Sequence, residues 1–200
     1  MDLKSFSKIK LPSKPGVYFF QKGKNILYIG KATELKSRVR SYFSNDLIVT
    51  RGPLLVDMVV SADKIMFQET DSVLEALILE ASLIKKYQPY YNTKEKDDKS
   101  FSYVCITKEA IPKVLVVRGR NLADYKGSFF GPYTNGMQLR EALKIIRRIF
   151  PFLDEKSKNY LEFYKQINLV PDLEDRKLYL QNIKNIKLFF GGKKKQILMN

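Results

Sequence analysis

Histidine is absent from the 200 residues, which removes the commonest general base and the commonest transition-metal ligand together. Any hydrolytic chemistry must run on tyrosine, lysine or carboxylate. Cysteine is nearly absent too. Cys105 alone excludes an internal disulfide and supplies too few thiolates for a zinc or iron–sulfur site, and its apolar surroundings read as plain core. No apolar run approaches membrane length and residues 1 to 14 lack an apolar signal core, so the expectation is a cytoplasmic protein with no membrane partner. Acids are in short supply: 21 Asp/Glu face 36 Lys/Arg, a formal charge of +15, and that imbalance favours a polyanion, nucleic acid first. Repeats and low-complexity tracts are missing as well.

What remains, 44% apolar residues, suffices for a packed core. Pro12 and Pro15 break the first segment; residues 16–20 and 26–30 read as strands joined by a turn over 21–25, and 33–43 as a basic amphipathic helix. A loop over 44–53, a short helix over 54–60 and a third strand over 64–70 follow. Ser72 with Glu75 forms a capping-box pattern for a helix ended by Pro89, after which 89–92 reads as a turn. Strands are expected over 102–107, 114–118 and 128–130. Asn135 can cap a helix to Phe150 with Leu139, Ala142, Leu143, Ile146, Ile149 and Phe150 on its apolar face. Helical patterns over 158–167 and 173–190 close the chain. The fold expected is mixed α/β (α+β): a small, mainly antiparallel three-stranded sheet flanked by helices, then a β-hairpin and a helical extension.

Two features carry chemistry. Tyr18 and Tyr28 stand beside Gly16 and Gly30 in adjacent strands, Lys31 follows, and Arg38 and Tyr42 lie four apart on one helix face. Cations and phenols so grouped suit a phosphate and a nucleophilic water. The second feature is Glu80. At 100° per residue, Val73, Ala76, Leu77, Leu83, Ile84 and Tyr87 fall within about 60° of it, so a carboxylate sits amid an apolar stripe. Ionised and buried, it requires a cation, a metal or a proton.

These residues resemble the GIY-YIG nuclease signature, written here Gly16-Val17-Tyr18 and Tyr28-Ile29-Gly30. The likeness continues through Gly30-Lys31-Ala32, residues 35–43, Glu75-Ala76, Leu79-Glu80-Ala81, Leu83-Ile84-Lys85-Lys86, Tyr91-Asn92 and Lys96-Asp97-Asp98-Lys99-Ser100. In that order the set is similar to the N-terminal region of the UvrC branch, and it extends through Phe130-Gly131-Pro132-Tyr133-Thr134 to about Gly192. The resemblance implies a GIY-YIG domain over 1–99, a hairpin-plus-helix extension over 100–155, and a helical segment over 156–200. The last matches a region that in this family carries four cysteines holding an iron–sulfur cluster. Here 160–173 contains none, so no cluster is expected.

By the same resemblance Glu80 binds one Mg²⁺ or Mn²⁺, and Tyr28, rather than Tyr18, takes the proton from water; the residues alone leave that choice open. Arg38 would hold phosphate in a bidentate fork, with Lys31 and Tyr42 beside it and Asn92 bracing the site. Lys36, Arg40, Arg140, Lys144 and Arg147 are candidate nucleic-acid contacts. The implied activity is incision of damaged double-stranded DNA on the 3′ side of a lesion, with a UvrB-like partner. A free-standing GIY-YIG endonuclease and a DNA- or protein-binding module without cleavage are the alternatives. Taken singly, each residue has a duller reading: strand tyrosines pack cores, surface cations are solvated, Asn92 ends a turn, and Glu80 pairs with an arginine. Seven polar positions in one order weigh against reading all of them that way.

Overall fold

Strand β1 (Gly16–Lys22) is the centre of the first unit, paired antiparallel with β2 (Asn25–Ala32) on one side and β3 (Lys64–Glu69) on the other. The computed structural model describes residues 9–44, 47, 52–95, 101–155, 167 and 175–197. The chain divides into two compact units, Met1–Asp97 and Asp98–Asn200.

Residues 16 to 20 are buried without interruption because both faces of β1 are covered. Tyr18 and Phe20 point into a cluster with Leu35, Val39 and Tyr42, from helix α1 (Leu35–Arg40) and the 3-10 turn Ser41–Phe43, and with Leu55, Met58 and Val59 from α2 (Pro53–Ser61). Val17 and Phe19 point the other way, with Ile29, against Ala76 and Ile84 of α3 (Val73–Tyr87). The hairpin turn is tighter than expected. Gln21 pairs with Ile26 and Lys22 with Asn25, leaving Gly23 and Lys24 to turn the chain, with Gly23 at φ 57 and its N–H donating to Asp63 Oδ2 at 2.8 Å. Polar residues carry those extra ladder positions, so an apolar pattern ends too early.

The cap of α3 forms as expected: the Glu75 N–H donates to Ser72 Oγ at 3.1 Å, and the Glu75 carboxylate accepts from the Asp71 N–H at 3.1 Å. Gln88, at φ 45, ends it before Pro89. Two expectations need correction. Val73 and Tyr87, assigned to the apolar stripe, are 46% and 45% exposed, while Ile78 and Ala81 are buried; only the central turns of α3 are covered. The expected turn after Pro89 is instead a short helix, α4 (Tyr90–Glu95), tied to α2 by Tyr91, whose hydroxyl donates to Asp57 at 2.7 Å.

In the second unit β4 (Ser102–Thr107) is central, between β5 (Val114–Arg118) and β6 (Gly127–Tyr133), all antiparallel. Cys105 is core. Helix α5 (Gly136–Ile149) starts where Asn135 accepts the N–H groups of Met137 and Gln138, both at 3.0 Å. Leu139, Ala142, Leu143 and Ile146 are buried as the pattern required, but Ile149 is 62% exposed and Phe150 only half-buried. Helix α6 (Arg176–Phe190) buries Tyr179, Ile183, Ile186 and Phe190, the last against the rings of Phe130 and Tyr133; the four-residue α7 (Lys194–Ile197) follows. The helix expected over 158–167 lies, but for Ile167, outside the described residues. No described helix is long and apolar enough to cross a membrane.

Candidate active site

The two glycines beside the strand tyrosines are there for space. Tyr18 faces Gly30 across the β1–β2 ladder, and a Cβ on Gly30 would sit 2.9 Å from Tyr18 Cε2 and nearer still to the phenol oxygen. A Cβ on Gly16 would meet Leu35 Cδ1 at 2.8 Å and the Gln68 carbonyl more closely. Those absences let the Tyr18 ring lie flat over β2 and let α1 close on β1.

The freed space holds three phenols. Ring centroids are 6.3 Å apart for Tyr18 and Tyr28, 5.8 Å for Tyr18 and Tyr42, and 6.3 Å for Tyr28 and Tyr42, with Phe20 edge-on behind Tyr42 at 5.0 Å. The Tyr18 and Tyr42 hydroxyls share a hydrogen bond of 2.8 Å. Arg38 Nε donates to the Tyr18 hydroxyl at 3.3 Å, and the guanidinium carbon lies 5.6 Å from the Tyr42 ring centroid. The expected i,i+4 placement of Arg38 and Tyr42 thus converges on Tyr18. Complete burial, then the neighbouring Tyr42 phenol, hold the Tyr18 hydroxyl well above its ordinary titration range, the nearby Arg38 charge pulling the other way. Burial acts to lower Arg38, but the Tyr18 and Tyr42 oxygens more than offset it and push it up.

Glu80, 4% exposed, turns toward the hairpin from α3. Its Oε1 accepts the backbone N–H of Lys31 at 3.1 Å, and its Oε2 lies 3.9 Å from Lys31 Nζ. Tyr28 lies with the phenols, and Lys31, three residues on in β2, with Glu80. As a cation site this is a single hard oxygen donor group. Among the described residues no three His, Cys, Asp or Glu side chains gather, so the donors fit one ion completed by water and substrate oxygens, not a caged metal.

Asn92 is held on the backbone of β2. Its Oδ1 accepts the Ile29 N–H and its Nδ2 donates to the Ile29 carbonyl, both at 2.8 Å and buried. Because β2 is the edge of its sheet, this amide completes the ladder in place of a missing strand, and Asn92 is a positioning residue for Tyr28 and Gly30 on either side.

Lys36 and Arg40 are exposed on α1. On α5, Arg140 is exposed with Nη1 donating to the Gly136 carbonyl at 3.3 Å, and Lys144 pairs with Glu141 at 2.7 Å. Arg147 is corrected outright. It is buried, 2.8 Å from Asp154 and stacked over Phe152 at 4.4 Å, because the chain reverses at Pro151 and brings both residues back against α5. Arg148, four residues beyond Lys144, is exposed with Arg140 and Lys144, and the sequence reading passed over it.

The family model of the UvrC-like GIY-YIG domain matches residues 14–93. The UvrABC system protein C of Trichormus variabilis is 37% identical over 94% of this chain and 31% of its own length. That of a Cyanothece strain is 46% identical over 72% of this chain and 23% of its own. Among solved structures, the GIY-YIG N-terminal endonuclease domain of UvrC from Thermotoga maritima, bound to its catalytic divalent cation magnesium, is 36% identical, covers 46% of this chain and 98% of that one, and has a TM-score of 0.39. The chain spans about a third of the curated relatives it matches, 31% of the first.

Proposed function

The chain belongs to the UvrC branch of the GIY-YIG nucleases through residues 14–93, and from that premise we propose that it hydrolyses a phosphodiester on the 3′ side of a lesion in double-stranded DNA, acting with a UvrB-like partner in nucleotide excision repair. The observation that carries the reading is the Arg38 guanidinium, anchored through Nε on Tyr18. With Nε so used, the two terminal nitrogens form the fork that matches two phosphate oxygens.

Glu80 would hold one Mg²⁺ or Mn²⁺, which when bound supplies a Lewis acid for the phosphate and a more acidic water. The remaining work falls to the chain's own side chains. Tyr18, kept protonated by burial, is a hydrogen-bond donor and not a base, which leaves Tyr28 to accept the proton of the attacking water. Tyr42 orients a phosphate oxygen from the same cluster. The Lys31 ammonium, next to Glu80, offsets charge that accumulates on the phosphoryl group. Lys36, Arg40, Arg140 and Lys144 are proposed to contact the DNA backbone, and Asn92 to keep β2 straight beneath the site.

A second reading, a free-standing endonuclease, draws on the lack of cysteine over 160–173. Incision of a defined lesion duplex with and without UvrB and Mg²⁺ separates the two. Strict dependence on UvrB supports the first and cleavage without it the second. No cleavage under any condition reduces the chain to a binding module.

A further inference from the structure

From Arg176 to Asn200 the sequence carries seven cations and no acid. Helix α6 displays Arg176, Lys177, Lys184 and Lys187, all exposed, and Lys193 follows, exposed, after the Gly191-Gly192 turn. Arg176 serves the fold, with Nη2 donating to the Ala110 carbonyl at 3.2 Å. The four lysines enter no ion pair among the described residues. Exposed helices ordinarily intersperse acids at i±4, and here Lys184 and Lys187 share a face and repel. Lys177, Lys184 and Lys187 lie within about 80° on the helical wheel, their centre roughly 115° round from that of Tyr179, Ile183, Ile186 and Phe190. Such a face is complementary to a polyanion.

The chemistry of the surroundings selects among polyanions. A helix that binds an anionic membrane inserts a continuous apolar face, but that of α6 is already packed, with Phe190 on Phe130 and Tyr133 and the Tyr179 hydroxyl on the Pro112 carbonyl, and the exposed Leu178 and Leu180 stand roughly 160° apart on the wheel and make no second one. Single strands are gripped by exposed aromatic platforms, and every described aromatic of residues 98–200 is buried or half-buried. Lysine point charges suit backbone phosphates and carry no base code. Fifteen helical residues run about 22 Å, roughly six base pairs. We infer that the outer face of α6, with Lys193, docks the phosphate backbone of a nucleic-acid duplex without regard to sequence. The inference requires no intact active site and stands apart from the cleavage proposed for the first unit.

The test is binding of the full chain to a fluorescein-labelled DNA duplex without divalent metal, read by anisotropy over a range of salt. Lys177→Gln, Lys184→Gln, Lys187→Gln and Lys193→Gln combined are compared with a charge-matched control, Lys10→Gln, Lys22→Gln, Lys24→Gln and Lys64→Gln. The slope of log K against log salt is expected to shrink by about 3 to 4 in the α6 variant and by no more than about 1 in the control. Lysine-to-arginine exchange at the same four positions keeps charge and helix propensity and retains the slope. Equal slopes in both glutamine variants, loss of slope in the arginine variant, equally tight single-strand binding, or preferential capture of phosphatidylserine vesicles through these lysines would each overturn the inference.

Discussion

The ring of Tyr18 occupies the space that a side chain on Gly30 would fill, one residue lying directly across the β1–β2 ladder from the other. The phenol cluster therefore depends on a missing Cβ. Gly30→Ala is expected to push the Tyr18 hydroxyl off Tyr42 and Arg38, destabilising the protein by about 1–3 kcal/mol, as overpacking typically does, and reducing incision with it. Urea unfolding measures the first effect. A change smaller than about 0.5 kcal/mol would mean that the ring tilts aside freely.

A phenol that accepts a proton must first be ionised, so the rate climbs with pH through its titration. Burial, then Tyr42, keep Tyr18 well above 10 despite Arg38, and it remains protonated at neutral pH. Tyr18→Phe is expected to lower kcat while leaving the ascending limb of the pH–rate profile in place. Tyr28→Phe should abolish that limb and cost about 10²- to 10⁴-fold in rate. The converse pattern would exchange the two roles.

Removing the Asn92 amide exposes what it does for the sheet edge. Asn92→Ala leaves the Ile29 N–H and carbonyl without their 2.8 Å partners, which is expected to cost about 2 kcal/mol or more. Amide exchange at Ile29 should accelerate in step. Unchanged protection there would show that the edge holds without the clamp.

Legibility in the sequence followed the range of the interaction. The capping box at Ser72 and Glu75, the asparagine cap at Asn135 and the pairing of Arg38 with Tyr42 are local, and each was readable from spacing. Glu80 could be placed on a buried helix face, but its Lys31 partner depends on how α3 lies over β2. Asn92 joins residues 63 apart, and no local pattern reveals that a sheet edge needs an amide. Arg147 carried the period of a surface cation; only the reversal at Pro151 delivers Asp154 to it. Likewise two strand tyrosines beside glycines do not declare in advance that burial and Tyr42 raise the Tyr18 phenol.

Alkaline stability reports on the second unit through Tyr179. Burial raises its phenol to about 12, although the Leu153 N–H and Arg147 pull it down. With the folded value above the unfolded value near 10, the contribution is complete below pH 10 and disappears as pH climbs from about 10 to about 12. Tyr18 and Tyr133, also raised, act in the same direction. Tyr179→Phe loses the hydrogen bond to the Pro112 carbonyl, so it is expected to be less stable than the parent at neutral pH and to converge with it toward pH 12. Parallel curves over that window would remove Tyr179 as the source.

Glu80→Gln separates a metal ligand from a structural carboxylate. The amide keeps an oxygen to accept the Lys31 N–H and nearly the same volume, so the fold should survive, as far-ultraviolet circular dichroism would register. What the substitution removes is the negative charge with which Glu80 would hold a hard divalent ion. Mn²⁺ affinity, read by the paramagnetic resonance of the free ion, is therefore expected to fall by more than about tenfold, with cleavage lost and DNA binding nearly kept. If Mn²⁺ binds the variant as tightly as the parent, Glu80 serves only as the buried partner of Lys31, and the ion must be sought elsewhere on the hairpin.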